Sequence, residues 1–399
     1  MPVKTNNMQK NILVLFEDDL YQQRGSFNAV VGRTKSLMQN SDYNVDVLLL
    51  AIYEPWLVRK LKHTPKRERI ESTEIDGVKI RTDWRRFSLV DYVLYYILHW
   101  PELFRAIHNR KIARSLSSYD LIIAHSLPGG LIAELVKKIS GTPYTLTWHG
   151  SDIHTKPFAS KAVFEATRRL IENADINFFV SRALMETSEK ITAKGSKQVL
   201  YNGYNPAFRR FPDSDRVALR REWGVVDKKV VAFAGNFFAV KNPLAVPRIF
   251  RAVYEKFTNV EFWLIGNGKF RPQMEALSEG LPARFWGGQA PNKMPEFFNA
   301  ADVVILPSFN EGFGLTVVEA LACGCNVVGS LVGGIPEIIG EENCVPLFEE
   351  NFVEKFAEKV LRYLTAPTHI DQPLNPDFTW PSTARKELSY IETLVGTAK

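Results

Sequence analysis

Residues 307–339, PSFNEGFGLTVVEALACGCNVVGSLVGGIPEII, concentrate side chains whose types and spacing can do chemistry. Two carboxylates anchor the stretch. Glu311 stands among small and turn-forming residues, and Glu319 stands inside an apolar, helix-like run. Gly312 and Gly314 let backbone N–H groups come close to a ligand. A helix starting near Leu315 or Thr316 and running through Ala322 turns its unpaired N–H groups and its dipole toward that loop, a setting for an anion such as a diphosphate. A carboxylate accepts two hydroxyl hydrogen bonds, so the pair suits a sugar and a ribose. Gly324 closes the helix, and Gly333 with Gly334 forms a second glycine turn before a helix opened by Pro336. The competing reading is an ordinary strand–loop–helix with surface glutamates; a single carboxylate would not separate the two.

The elements that must position these residues follow from the hydrophobic pattern. Short apolar runs at 12–16, 45–50, 121–124, 144–147 and 177–180 alternate with longer helical patterns, and a second set follows at 230–234, 261–265, 283–286, 303–306 and 326–329. That rhythm predicts parallel α/β sheets. The polar stretch 201–215 interrupts it and reads as a linker. The expected architecture is α/β, two doubly wound domains in series facing a central cleft, with ligands at the carboxyl ends of the strands. The first domain takes residues 1–205 and a returning helix in 380–399; the second takes 206–379.

A chain of 399 residues is long enough for two cores. Its 45% hydrophobic and 24% charged content is that of an ordinary soluble protein. No run approaches the ~20 apolar residues that span a bilayer, and nothing near the N-terminus reads as a signal peptide, so a cytoplasmic location is expected. Cys323, Cys325 and Cys344 are odd in number and lack framework or ligand spacing; they read as buried thiols in a reducing compartment, with no metal site. The net charge of +6 suits acidic partners such as sugar nucleotides or lipid phosphates. No nucleic-acid module is present, so no nucleic-acid partner is expected.

The segment EGFGLTVVEALACG resembles the signature of glycosyltransferase family 4, retaining enzymes of the GT-B fold with two Rossmann-like domains. The segments LIIAHSLPGG, TPYTLTWHGSDI, FFVSRAL, LYNGYNPAFR, VVAFAGNFFAVKNP and FWLIGNGKF stand in the family's order, so the likeness covers nearly the whole chain. It implies transfer of a glycosyl group from a nucleotide sugar, a UDP- or GDP-sugar, to a glycan or lipid-linked acceptor in polysaccharide or glycoconjugate synthesis. By this resemblance Glu311 bonds donor-sugar hydroxyls and Glu319 the ribose, while the backbone of Phe313, Gly314 and Leu315 holds sugar and phosphate. Lys241 neutralises the departing diphosphate, and His149, at the carboxyl end of a first-domain strand, contacts the donor sugar. Gly25 takes the place of a glycine turn near the phosphates.

Two positions depart from the family pattern. Arg24 stands where a second glycine is usual, and Asn236, another donor-side position, stands where an arginine is frequent. These departures keep open a second reading, a catalytically silent sugar-nucleotide-binding partner subunit; an inverting enzyme or an epimerase of the same fold is a third. The resemblance implies no cofactor and no metal, because Lys241 and a helix N-terminus take the charge role of Mg²⁺, and it implies a front-face displacement assisted by the departing phosphate.

On the acceptor side, residues 84–114 set Tyr92, Tyr95, Tyr96, Trp100 and Phe104 among aliphatics with Arg85, Arg86, Arg105, Arg110, Lys111 and Arg114 around them. Aromatic and basic residues together suit a lipid interface, and a basic loop at 59–69 adds to it, so peripheral contact with the cytoplasmic face of a membrane is one expectation. A helix packed into the first domain is the other.

Overall fold

The computed structural model describes residues 9–21, 25–62, 64–98, 101–366 and 372–397. The chain divides into two compact units, residues 1–203 with 379–399, and residues 204–378. Among the described residues the first unit contains the strands β1 Asn11–Glu17, β2 Asn44–Tyr53, β3 Ser72–Ile75, β4 Val78–Arg86, β5 Leu121–His125, β6 Tyr144–Trp148, β7 Ile176–Phe179 and β8 Lys197–Val199. They form one sheet in the order β3-β4-β2-β1-β5-β6-β7-β8, parallel throughout except for the β3–β4 hairpin. The second unit contains β9 Lys229–Ala234, β10 Val260–Ile265, β11 Ala283–Gly287, β12 Val303–Leu306, β13 Asn326–Ser330 and β14 Cys344–Val345. Their order is β11-β10-β9-β12-β13-β14, all parallel. Counted within the unit this is 3-2-1-4-5-6, the doubly wound order, and the first unit repeats it between β4 and β7. The order reverses between β1 and β5 and between β9 and β12, so the chain leaves those neighbouring strands in opposite directions and opens a crevice at their carboxyl ends.

The ten expected strands are all present: eight are longer than expected by one to four residues, 303–306 is unchanged, and 177–180 is shifted one residue toward the N-terminus to Ile176–Phe179. Four were not legible. β4, VKIRTDWRR, alternates apolar and charged positions, and β3 joins it through Asp76 and Gly77, whose φ values of 54° and 80° make a two-residue hairpin turn. β8 and β14 are too short to show a period. The β4 strand removes Trp84, Arg85 and Arg86 from the helical pattern expected over 84–114. The expected linker 201–215 contains the start of a helix, Asp213–Glu222.

In the first unit, the helices Gly25–Gln39 and Trp380–Thr397 cover one face of the sheet, and Leu388, Ile391 and Val395 join the core built by β1, β2 and β5. At the crossing stands a buried ion pair. Arg33 donates Nε and Nη2 to the two oxygens of Glu387, at 2.7 and 2.6 Å, and Nη1 to the Thr147 hydroxyl at 2.9 Å. Both charges are almost fully removed from water, so each depends on the other for its solvation. Glu387→Ala should therefore weaken the unit by about 3–5 kcal/mol, because it leaves a buried guanidinium unpaired. Amide exchange in β1, β5 and β6 measures this; exchange at the wild-type rate would show that the pair does not hold the returning helix.

Candidate functional site

In the second unit the site is built from two loops at the carboxyl ends of β9 and β12. After β9 the chain turns at Gly235, whose carbonyl oxygen would lie 1.9 Å from any Cβ on Gly266 (φ 138°), an approach that only glycine permits. Phe237, fully buried, pins the loop and donates its N–H to the carbonyl of Asn267 at 2.9 Å. A single 3₁₀ turn, Ala239–Lys241, follows. After β12 the N–H of Phe309 bonds the carbonyl of Val240 at 2.9 Å and ties the two loops together. The Lys241 ammonium meets the Glu311 carboxylate in an ion pair whose side chains are 22% and 17% exposed. From behind, Gly333 (φ 52°) lies so close to the Glu311 carbonyl oxygen that a Cβ would stand 1.7 Å from it. The second glycine turn thus backs the loop that carries Glu311.

Phe313 is buried edge-to-face on Phe378 at 5.4 Å. Gly314 (φ 106°) caps the helix Leu315–Ala322, which has the expected bounds. Glu319, on that helix, has no hydrogen bond or ion pair from any described side chain, and burial pushes its pKa up to about 8. The raised value favours its protonated form at neutral pH. The Ser308 and Ser330 hydroxyls, just after β12 and at the end of β13, are buried without a partner among the described residues. Sequence reasoning missed both serines, although a small polar residue closing a buried strand is a usable signal. Asn236 is exposed beside the β9 turn. Cys323, Cys325 and Cys344 are buried free thiols, as expected, and burial first, with Glu319 second, raises the Cys323 pKa to about 12.

The first unit brings a different group together. His125 ends β5 and His149 follows β6; His125 Nδ1 lies 3.0 Å from His149 Nε2, with the rings stacked at 5.2 Å. Burial lowers both pKa values below the ordinary imidazole range, and the Arg33 charge lowers them further. Both rings are neutral at pH 7, so one nitrogen of the contact carries the proton and the other accepts it. Asp152 accepts the N–H groups of His149 (3.2 Å) and Gly150 (2.8 Å), which makes it a cap for this loop. His125 was not singled out in the sequence, although it sits in LIIAHSLPGG; its signal is its place at the end of β5, beside the order reversal. Gly25 is the exposed first residue of its helix and does not adopt a positive φ. Arg24 and Trp100 lie outside the described residues, as do the side chains of Tyr95, Tyr96, Phe104 and Arg105.

Comparisons with known proteins agree on one family. "Glycosyl transferases group 1" matches residues 215–374, and "Glycosyl transferase 4-like domain" matches residues 27–203. TuaC of Bacillus subtilis (strain 168), whose name assigns it to teichuronic acid biosynthesis as a glycosyltransferase, is 28% identical over 61% of this chain; the match spans 61% of TuaC. The N-acetyl-alpha-D-glucosaminyl L-malate synthase of Bacillus anthracis is 27% identical over 68% of this chain and 72% of its own length. Among solved structures, sucrose-phosphate synthase from Thermosynechococcus elongatus superposes with a TM-score of 0.74 at 16% identity, covering 98% of this chain and 100% of that one. Anabaena HepE in complex with UDP and glucose superposes with a TM-score of 0.63 at 18% identity over 96% and 97%. The fold is GT-B.

The protonated Glu319 has a consequence for stability. Between its ordinary value of 4.5 and about 8, the folded chain holds a proton that the unfolded chain has released, so stability falls as pH rises through that window. Glu319→Gln should remove this slope. Denaturant unfolding across the window should show the wild type losing stability relative to the variant; a constant difference would contradict the assignment.

Proposed function

From the premise that the chain belongs to the group 1 glycosyltransferases, we propose that it moves a sugar from a nucleoside diphosphate sugar to an acceptor hydroxyl with retention of anomeric configuration. The observation that carries this reading is the Lys241–Glu311 pair at the order reversal of the second sheet, beside the N-terminus of Leu315–Ala322. In the reaction the bond from the anomeric carbon to the diphosphate breaks and the diphosphate leaves with the electron pair. Lys241 and the first amides of the helix stabilise the charge that develops there. Glu311 accepts hydroxyls of the sugar and Glu319 those of the ribose, with the backbone of Phe313, Gly314 and Leu315 beside them. The neutral His149 offers the sugar a hydrogen bond, while Gly25 and Asn236 are donor-side positions.

The family resemblance supports a front-face displacement: the acceptor oxygen attacks from the face the diphosphate leaves, and its proton passes to the departing phosphate oxygen. The positive charge supplied by Lys241 and the helix supports catalysis without a metal ion, with UDP or GDP as the nucleotide. The name of TuaC supports a polysaccharide or other glycoconjugate acceptor. The three buried free thiols support a reducing, cytoplasmic setting.

Lys241→Ala and Glu311→Ala should each lower turnover roughly hundredfold to thousandfold without unfolding the protein, the range for losing one group that stabilises developing charge. UDP or GDP should raise the melting temperature of the wild type, and turnover should persist in EDTA. Wild-type rates in both variants would remove the site assignment; loss of activity in EDTA with recovery on Mg²⁺ would overturn metal independence.

A further inference from the structure

The transfer reaction leaves one surface of the first unit unused. The helix Trp56–Lys62 and the turn of helix Leu89–Tyr92, continued by a wider turn Val93–Ile97, lie side by side. Each segment has one internal anchor: Val58, fully buried, in the first, and Phe87, 3% exposed, just ahead of the second. Around these anchors the large apolar side chains point outward. Trp56 is 63% exposed, Leu61 59%, Val90 67% and Ile97 61%, far from the burial such residues usually find. The sequence pattern had placed aromatic and basic character on 84–114. The exposed apolar tips come from two short segments, one inside 84–114 and one overlapping the basic loop 59–69.

Charge says what covers them. Residues 56–69 carry six Lys or Arg and one acidic residue, Glu68. Lys60 lays its ammonium over the Trp56 ring at 5.6 Å, which keeps the charge at the rim while the ring projects. Asp91, the acid of the second segment, is engaged locally: its carboxylate accepts the N–H and hydroxyl of Ser88 at 2.7 and 2.6 Å and closes a capping box. Arg67 is paired with Asp19 and Arg69 lies over the Tyr53 ring, which leaves Lys60 and Lys66 as exposed cations flanking the apolar tips. Apolar tips beside exposed cations form the pattern of an interfacial helix that dips into a lipid surface and holds its headgroups. A second copy of the chain seated on the same patch would set these cations against one another. No helix among the described residues is long and apolar enough to cross a membrane, so the attachment would be at the surface.

We propose that Trp56–Lys62 and Leu89–Ile97 form a docking surface for an anionic lipid bilayer. The inference goes beyond the transfer reaction and does not depend on it. The test is flotation of the full chain with equimolar phosphatidylcholine–phosphatidylglycerol vesicles, with phosphatidylcholine vesicles alone as the comparison. The protein should float with the anionic vesicles only and be released as salt screens the attraction. The exposed-residue variants Lys60→Gln and Lys66→Gln should each weaken vesicle affinity roughly fivefold. A triple variant, Trp56→Ser with Val90→Ser and Ile97→Ser, should abolish flotation while its melting temperature and its nucleotide-induced shift stay at wild-type values. Absence of flotation with anionic vesicles would overturn the proposal. So would flotation that the triple variant retains, or a dimer in sedimentation that the triple variant dissolves.

Discussion

No side chain larger than hydrogen fits between residue 333 and the carbonyl oxygen of Glu311, and the placement of the candidate donor site depends on that constraint. A Cβ on Gly333 would stand 1.7 Å from the oxygen, one on Gly334 2.6 Å from the Phe313 carbonyl oxygen, and one on Gly266 1.9 Å from the Gly235 carbonyl oxygen. Backbone packed on backbone makes these loops stiff without filling the crevice with side chains. The stiffness then passes to the charged groups. Gly235 and Gly266 set the start of the loop that ends in Lys241, the Phe309–Val240 hydrogen bond joins it to its neighbour, and Gly333 backs Glu311. A larger residue at any of these points would move a loop and so the charge it carries.

Buried polar groups in this chain are matched closely at some points and left unmatched at others. At Arg33–Glu387 every strong donor and acceptor is matched: two guanidinium nitrogens meet two carboxylate oxygens, and a third meets Thr147. Such a network costs desolvation and returns a fixed geometry, here the crossing of the returning helix beneath the strand that leads to His149. Other buried polar groups, in both units, lack a hydrogen-bond partner among the described residues; in the second unit these include the Ser308 and Ser330 hydroxyls, and no described side chain hydrogen-bonds Glu319. Unmatched polar groups in a desolvated crevice are unfavourable in the free protein and become favourable when a polyhydroxyl ligand satisfies them.

Much of this was legible in the residue order because parallel strands buried on both faces must be continuous apolar runs. VVAFA, VVIL and LIIA admit few other readings, and the glycine positions around Glu311 announced a close approach before its partner was known. β4 was hidden because its alternate residues are Lys79, Arg81 and Asp83, although Asp76-Gly77 was a readable hairpin turn. The ion pair of Lys241 with Glu311 and the contact of His125 with His149 join residues 70 and 24 positions apart. Nothing in local pattern states such distances; only strand order does, and strand order appears once every strand has been found. The exposure of Trp56 and Ile97 was hidden for a similar reason, since an apolar residue in a helix-like run reads as core until the neighbouring elements are known.

The Lys241–Glu311 pair also constrains how a donor could bind. Each partner is already neutralised by the other, so a diphosphate must compete with Glu311 for the ammonium, and sugar hydroxyls must compete with Lys241 for the carboxylate. A nucleoside diphosphate sugar can supply both replacements in one molecule: the phosphates offer negative charge to Lys241 while the sugar offers hydroxyl donors to Glu311. A free phosphate satisfies the lysine and strips the glutamate; a free sugar does the reverse. Each half-ligand thus leaves one partly buried charge unmatched, and such a mismatch costs on the order of 1–3 kcal/mol, or more where the group is charged. In the proposed reaction the pair would therefore favour the intact donor over its fragments, with discrimination coming from the exchange of partners rather than from an added contact. The same exchange would free Lys241 to follow the phosphate as its charge grows, the differential stabilisation that group transfer requires.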